Sequence, residues 1–221
     1  MGFGMSATSI SPGRRPADVE RRERILEGAE RAFVRHGFHA TTMQHVADEL
    51  GMSAGNLYRY FPSKDAIVEG LCAVDQEGRA RAFAELMAGN RNIMEAISAG
   101  LRKHVFAHPP EKARLTVEIW AEAGRNPRVA EMIRAIDADV LAGLEKLVDA
   151  AKAGGAASPR LDSRFGARFF LTFVAGLFKR MAIEPDFDAE AETAMAIGVL
   201  RALFAGALAP APGAPGEEAR R

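Results

Sequence analysis

Residues 37–67 read GFHATTMQHVADELGMSAGNLYRYFPSKDAI. Gly37 suits the left-handed position that closes a helix, which places Phe38 to touch Phe33 one turn back. Thr41, followed three residues on by Gln44, spells a capping box that starts a second helix at Thr41 or Thr42. Met43, Val46, Ala47 and Leu50 then fall at i, i+3, i+4 and i+7, one apolar face over two turns. Gly51 permits a tight turn, Met52 is apolar and Ser53 caps a third helix, Ala54 to Phe61. That third helix offers only Leu57 and Phe61 for burial. Two short helices joined by a glycine turn make a helix-turn-helix.

The opposite side of the third helix carries Gly55, Asn56, Tyr58, Arg59 and Tyr60. A glycine in a first turn costs about 1 kcal/mol of helix stability relative to alanine, yet it lets a backbone approach another surface closely. Recognition helices touch base edges with their first turn, here Ser53, Ala54, Gly55 and Asn56. Asn56 has the donor and acceptor pair that reads an adenine edge. Tyr58, Arg59 and Tyr60 have the reach for flanking phosphates. A fourth helix starts behind Pro62, with Ser63 as its cap. Lys64 in its first turn opposes the helix dipole, and a phosphate at that helix end would relieve the conflict.

The stretch from Arg24 to Leu71 resembles the tetracycline-repressor (TetR/AcrR) family of bacterial regulators. The resemblance rests on the paired threonines, the Gly-Met-Ser turn, Leu-Tyr-Arg-Tyr-Phe and the following Ser-Lys-Asp, and it covers under a quarter of the chain. It implies DNA contacts at Thr42, Ser53, Ala54, Gly55, Asn56, Tyr58, Tyr60 and Lys64, to which Arg59 is added. Ala54 offers only a methyl group where some relatives have a longer polar residue. The resemblance also implies a homodimer on a palindromic double-stranded operator, controlled by a small-molecule effector. The Arg14–Arg15 pair ahead of the first helix reads either as an arm for a minor groove or as a solvated tail.

Working outward, the first helix runs from Ala17 to His36 with Ile25, Ala29, Ala32 and Phe33 on one face. Helical periodicity recurs along the whole chain and sustained alternation is missing. The breakers are His36–Gly37, Gly51, Phe61–Pro62, Gly89–Asn90, His108 to Pro110, Gly124 to Pro127, Gly154 to Pro159 and Glu184–Pro185. They predict an all-α protein of about nine helices. A flexible basic arm (1–16) leads into a three-helix head (17–65). A helical ligand-binding and dimerisation body (66–208) and a disordered Ala/Pro/Gly tail (209–221) follow.

Composition narrows the class. The 221 residues are 48% hydrophobic, enough for one or two cores, and no run reaches the roughly 18 apolar residues of a membrane span. The single cysteine, Cys72, cannot form an internal disulfide, which suits a reducing cytoplasm. The 29 basic residues equal the 29 acidic ones. Residues 1–65 carry nine Lys/Arg against eight Asp/Glu. Bulk charge therefore gives little attraction for nucleic acid, and DNA binding must depend on where a few cations sit.

In the body, the fourth helix is expected over Lys64 to Ala88, with Ile67, Leu71, Val74, Phe83 and Leu86 apolar. Another, Arg128 to Ala153, repeats Val129, Ile133, Ile136, Val140, Leu144 and Leu147. Residues 163–183 are apolar nearly all round and so must be covered on every side. Residues 188–208 add a small-residue stripe. These last two helices are the expected isologous dimer interface, through Phe170, Phe178, Ala194, Gly198, Arg201 and Ala205. Aromatic surface with a few charges suggests ligand contacts at Phe83, His104, Glu118, Trp120, Glu122, Arg168, Phe169 and Phe173. Plain core packing accounts better for each aromatic, and Arg114 and Arg125 could pair Glu118 and Glu122 on a solvated face.

Enzyme chemistry finds no support. The five histidines form no HExxH, there is no cysteine pair for zinc, and neither a phosphate loop nor a GxSxG elbow occurs. No metal or cofactor is expected. A regulator or activator of the same fold without any effector remains an alternative reading.

Overall fold

In the computed structural model, which describes residues 16–88 and 93–208, the side chains of Thr42, Ser53, Asn126, Asp162 and Asp188 each cap the start of a helix. The order is α1 (Pro16–His36), α2 (Met43–Glu49), α3 (Ala54–Tyr60), α4 (Lys64–Ala88) and α5 (Ile93–Leu101). A π-helical turn, Arg102–Phe106, leads on to α6 (Pro110–Ala123), α7 (Pro127–Ala153), α8 (Ser163–Ile183) and α9 (Ala189–Phe204). No strand occurs among the described residues. The Arg14–Arg15 arm, the Gly89–Asn90 breaker and the tail from 209 lie outside them, as does the side chain of Leu86.

Gly37 takes φ +77° at the end of α1, and the Phe33 and Phe38 rings meet edge to face with centroids 5.3 Å apart. Asn126, Asp162 and Asp188 cap α7, α8 and α9 by accepting backbone N–H groups with their side chains. The last helix is shorter than the 188–208 read from the sequence. Gly206 turns left-handed at φ +81°, and the amide of Ala207 donates back to the Ala202 carbonyl, which ends α9 at Phe204. The π-turn had no signature in the sequence.

The start of α2 corrects the sequence reading. Its cap is Thr42, whose hydroxyl accepts from the His45 amide at 3.2 Å while the His45 ring accepts from the Thr42 amide at 3.4 Å. Thr41 is instead buried, its hydroxyl donating to the Gly37 carbonyl at 2.7 Å. Gln44 turns away to Asp48 at 2.6 Å. Burial decides between the adjacent threonines, because the one beneath the loop cannot also cap.

Two apolar clusters divide the molecule. The head cluster joins Ile25, Ala29, Ala32 and Phe33 of α1 to Phe38, Val46, Ala47, Leu57, Phe61, Ile67 and Val68. Leu115 and Ile119 of α6 and Met132 of α7 also pack into it, so the head is closed by the body. The body cluster gathers α5, α7, α8 and α9 around Leu101, Leu144, Leu147, Leu200 and Leu203. Helix α4 runs between the two. Its Phe83 lies directly under Gly143 of α7, where a Cβ would stand 2.8 Å from the ring. Among the described residues no helix is long and apolar enough to cross a membrane.

Candidate nucleic-acid interface

Helix α3 is fixed from below by two residues. Leu57 is 0% exposed and Phe61 1%, burial that stabilises by about 1.5–3 kcal/mol for each side chain. The Ser53 hydroxyl accepts from the Asn56 amide at 3.3 Å and caps the helix. From behind, the Arg22 guanidinium lies 4.2 Å over the Phe61 ring and donates to the Tyr60 carbonyl at 2.8 Å. Nothing in the sequence pattern pointed to this brace.

The other side of α3 faces outward. Ser53, Gly55, Tyr58 and Arg59 are exposed, with Asn56 and Tyr60 half-buried. A Cβ on Gly55 would meet nothing within 4 Å, so no packing inside the chain requires glycine there. Thr42 is exposed too, and its hydroxyl can donate outward while accepting from His45. Ala54 packs partly on the head cluster. Glu49 of α2 is matched by Arg31 and Arg35 of α1 at 3.0 and 2.7 Å, which offsets a charge that would repel phosphate.

Lys64 departs from the expectation. Its Nζ donates to the carbonyls of Phe38, His39 and Thr41 at 2.9, 3.1 and 3.2 Å and sits 4.5 Å from the Phe38 ring centroid. An ammonium has three protons to donate, and all three are engaged inside the chain. Burial pulls its pKa below the usual lysine value against the Glu122 and Asp65 carboxylates. Lys64 thus ties the start of α4 to the α1–α2 loop. The conflict with the helix dipole is relieved by carbonyl oxygens of the loop.

Residues 25–71 match the model for bacterial regulatory proteins of the tetR family, and residues 94–219 match the C-terminal region of BetI-type transcriptional repressors. The chain belongs to the TetR family. Over 189 residues it is 29% identical to the HTH-type transcriptional regulator UidR of Escherichia coli, spanning 85% of this chain and 92% of that protein. The solved structure of Salmonella enterica GusR superposes with a TM-score of 0.72 at 28% identity, over 86% of this chain and 97% of that one. Bacillus subtilis FadR, solved in complex with stearoyl-CoA, shares the fold at a TM-score of 0.70 and 19% identity, over 83% and 98% of the two chains. This TetR-family protein is a DNA-binding transcriptional regulator with a helix-turn-helix head and a helical body, in a family of regulators rather than enzymes.

In this TetR-family chain the residues proposed for a ligand do not converge. Glu118 accepts from the Phe38 amide and stands beside Gly37. Glu122 pairs with Arg125 at 2.5 Å. Both carboxylates belong to the junction with the head, since α6 crosses α1 there. Of the two pairings weighed for them, Arg125 with Glu122 forms, whereas Arg114 donates to the Ala182 carbonyl at 3.0 Å. Arg168 is exposed on α8, away from the core. Phe83, Phe169 and Phe173 pack partly buried against the body cluster, Trp120 meets Phe178 with ring centroids 5.8 Å apart, and His104 lies half-buried in the π-turn.

The junction itself is built of polar pairs over apolar contacts. Asn126 donates to Asp65 at 3.3 Å, Arg128 pairs with Glu69 at 2.7 Å and Lys112 with Glu30 at 3.2 Å. Helix α6 and the start of α7 therefore hold the same loop and helix end that Lys64 ties. Ala194, Gly198 and Arg201 of α9 and its C-cap Ala205 are exposed, and a Cβ on Gly198 would meet nothing within 4 Å. Phe178 turns inward to Trp120, and Phe170 packs against the body cluster. Neither is a bare surface residue.

Proposed function

We propose that this regulator is a cytoplasmic repressor that binds a palindromic operator as a homodimer and is released by a small-molecule effector. The observation that carries the reading is the outward face of α3. Ser53, Gly55, Tyr58 and Arg59 are exposed and Asn56 half-buried, and among the described residues none has a side-chain hydrogen bond or ion pair to another element, while Leu57 and Phe61 hold the helix beneath. Asn56 reads a base edge, Thr42, Tyr58, Arg59 and Tyr60 meet phosphate or sugar, and Gly55 admits the backbone of the duplex. The amide end of α4, rather than the Lys64 ammonium, receives a phosphate.

Ala194, Gly198 and Arg201 of α9 and its C-cap Ala205, with the exposed side of α8, form the two-fold interface. Two heads then stand about one turn of duplex, roughly 34–36 Å, apart. An effector that moves α6 or α4 shifts the loop held by Glu118 and Lys64, and with it the spacing of the heads. Bacillus subtilis FadR, which shares the fold, is solved in complex with stearoyl-CoA, and this supports a ligand-binding role for the body. To clear the operator, the effector must favour the released arrangement by several kcal/mol.

Selection of genomic fragments by the purified protein tests the reading. One enriched inverted repeat, bound by a dimer in sedimentation, is expected. Gly198→Arg should shift the protein to monomer, lower the melting temperature no further than loss of the partner subunit does, and weaken operator binding. Fragments enriched no more than random duplex would refute it.

A further inference from the structure

Several arginines of the body are matched: Arg102 pairs with Glu190, Arg125 with Glu122, Arg128 with Glu69 and Arg180 with Glu184 and Glu192. Others, Arg168 and Arg201 among them, stand exposed to water. Arg79 is half-buried and falls in neither group. Its Nη2 is buried and meets no hydrogen-bond acceptor among the described residues. Interiors seldom leave a polar group in that condition, because a donor stripped of water without a partner is destabilising, the more so when it carries charge.

Its place on α4 is specific. Cys72, two turns earlier, packs on the head cluster, and Phe83, one turn later, packs on the body cluster. Arg79, itself half-buried, thus falls between these two contacts on a helix that, like α7, reaches both clusters. Burial raises the Cys72 thiol to about 11, against the pull of Arg79. Across from this stretch runs the π-turn, tied to α4 by Lys103 and Glu85 at 2.7 Å. Charge on His104 acts on Glu85, and Asp75 acts on His108. π-turns gather at functional positions.

We infer that Arg79 anchors an effector site in the body, and that the effector carries an anionic oxygen group, a carboxylate or a phosphate, that pairs with its guanidinium. The planar fork of arginine matches either group in two parallel hydrogen bonds. A neutral oxygen could accept one hydrogen bond from the buried nitrogen but would neither match the fork nor offset the charge. Arg79 lies 15 residues along α4 from Lys64, about 22 Å on a straight helix, so an anion drawn to it acts on the element that carries the tie to the head. The inference rests on the effector-released regulator proposed above.

The test is thermal unfolding of full-length wild type, Arg79→Met and Arg79→Gln. Each is measured in chloride and then, at matched ionic strength, with butyrate, benzoate or inorganic phosphate, and with butyramide and benzamide as neutral controls. In chloride, Arg79→Met should melt higher than wild type by a few degrees, since it removes an unmatched cation. At least one anion should raise the wild-type melting temperature beyond its neutral control, and the gain should vanish in both variants. Response to the carboxylates alone identifies a carboxylate effector, and response to phosphate alone a phosphorylated one. If Arg79→Met fails to fold, Arg79→Gln supplies the comparison. A lower melting temperature for the folded Arg79→Met, equal gains in wild type and variants, or no difference between acids and amides overturns the inference. Titration of the selected operator with the same wild-type sample separates the two readings. Failure to bind the operator in chloride alone sinks the regulator reading, whereas normal binding that no anion alters sinks only the anion site.

Discussion

The head and the body use polar residues in opposite ways. In the head, the polar side of α3 projects outward and only the caps beneath it are spoken for. In the body, charges that looked available in the sequence are consumed: Glu118 by the Phe38 amide, Glu122 by Arg125 and Arg114 by the Ala182 carbonyl. A binding surface for a large, flat-walled partner can be recognised by what its residues leave undone. A small-molecule site inside a bundle is recognised by a group the bundle fails to satisfy, and Arg79 is that group. Lys64 crosses between the regions, a head residue by sequence that does the work of a junction.

The contrast can be broken at several points. Lys64→Met removes three charge-assisted hydrogen bonds to carbonyls and should cost about 3 kcal/mol in the unfolding of the head, read by denaturant melting, with a matching loss of operator affinity. A surface phosphate contact would instead leave melting unchanged. Gly55→Leu should do the reverse. It raises helix propensity by roughly 1 kcal/mol and so leaves stability equal or better, while operator affinity falls at least about tenfold, or 1.4 kcal/mol, by fluorescence anisotropy.

Cys72 gives a smaller effect from the border of the two clusters. Its thiol is pushed from 9.0 to about 11 by burial. The neutral form is therefore favoured in the fold. The stability it contributes is complete below pH 9 and drains away as pH rises through 11, by about 1 kcal/mol once partial exposure is allowed for. Cys72→Ala should flatten that part of the stability profile. Glu118→Gln should change least, by under about 1 kcal/mol in melting, since an amide oxygen still accepts from Phe38. Its expected signature is a shift in the effector concentration needed for release, measured by titration on the operator complex.

The head was readable because its signals are local. Gly37 and Phe38, the Gly51 turn, the Ser53 cap and the Leu57–Phe61 pair each act within a few residues, and the structure keeps all of them. The misreadings arose where two local options compete, as with Thr41 and Thr42, and burial across the chain decides. The long helices of the body were equally plain from their breakers and caps. Their polar partners were not, because Glu118 meets a residue 80 positions away and Lys64 one 26 away, and periodicity carries no information at that range. The Arg22 brace and the unmatched Arg79 belong to the same class.

The most direct test is a titration of wild type and of the combined Asn56→Ala, Tyr58→Ala, Arg59→Ala variant against the selected operator and a random duplex, at several salt concentrations. The account predicts a loss of at least about a hundredfold on the operator, some 3 kcal/mol, a shallower salt dependence, convergence of the two duplexes and an unchanged melting temperature. Operator affinity and salt dependence equal to wild type in that folded variant would contradict it.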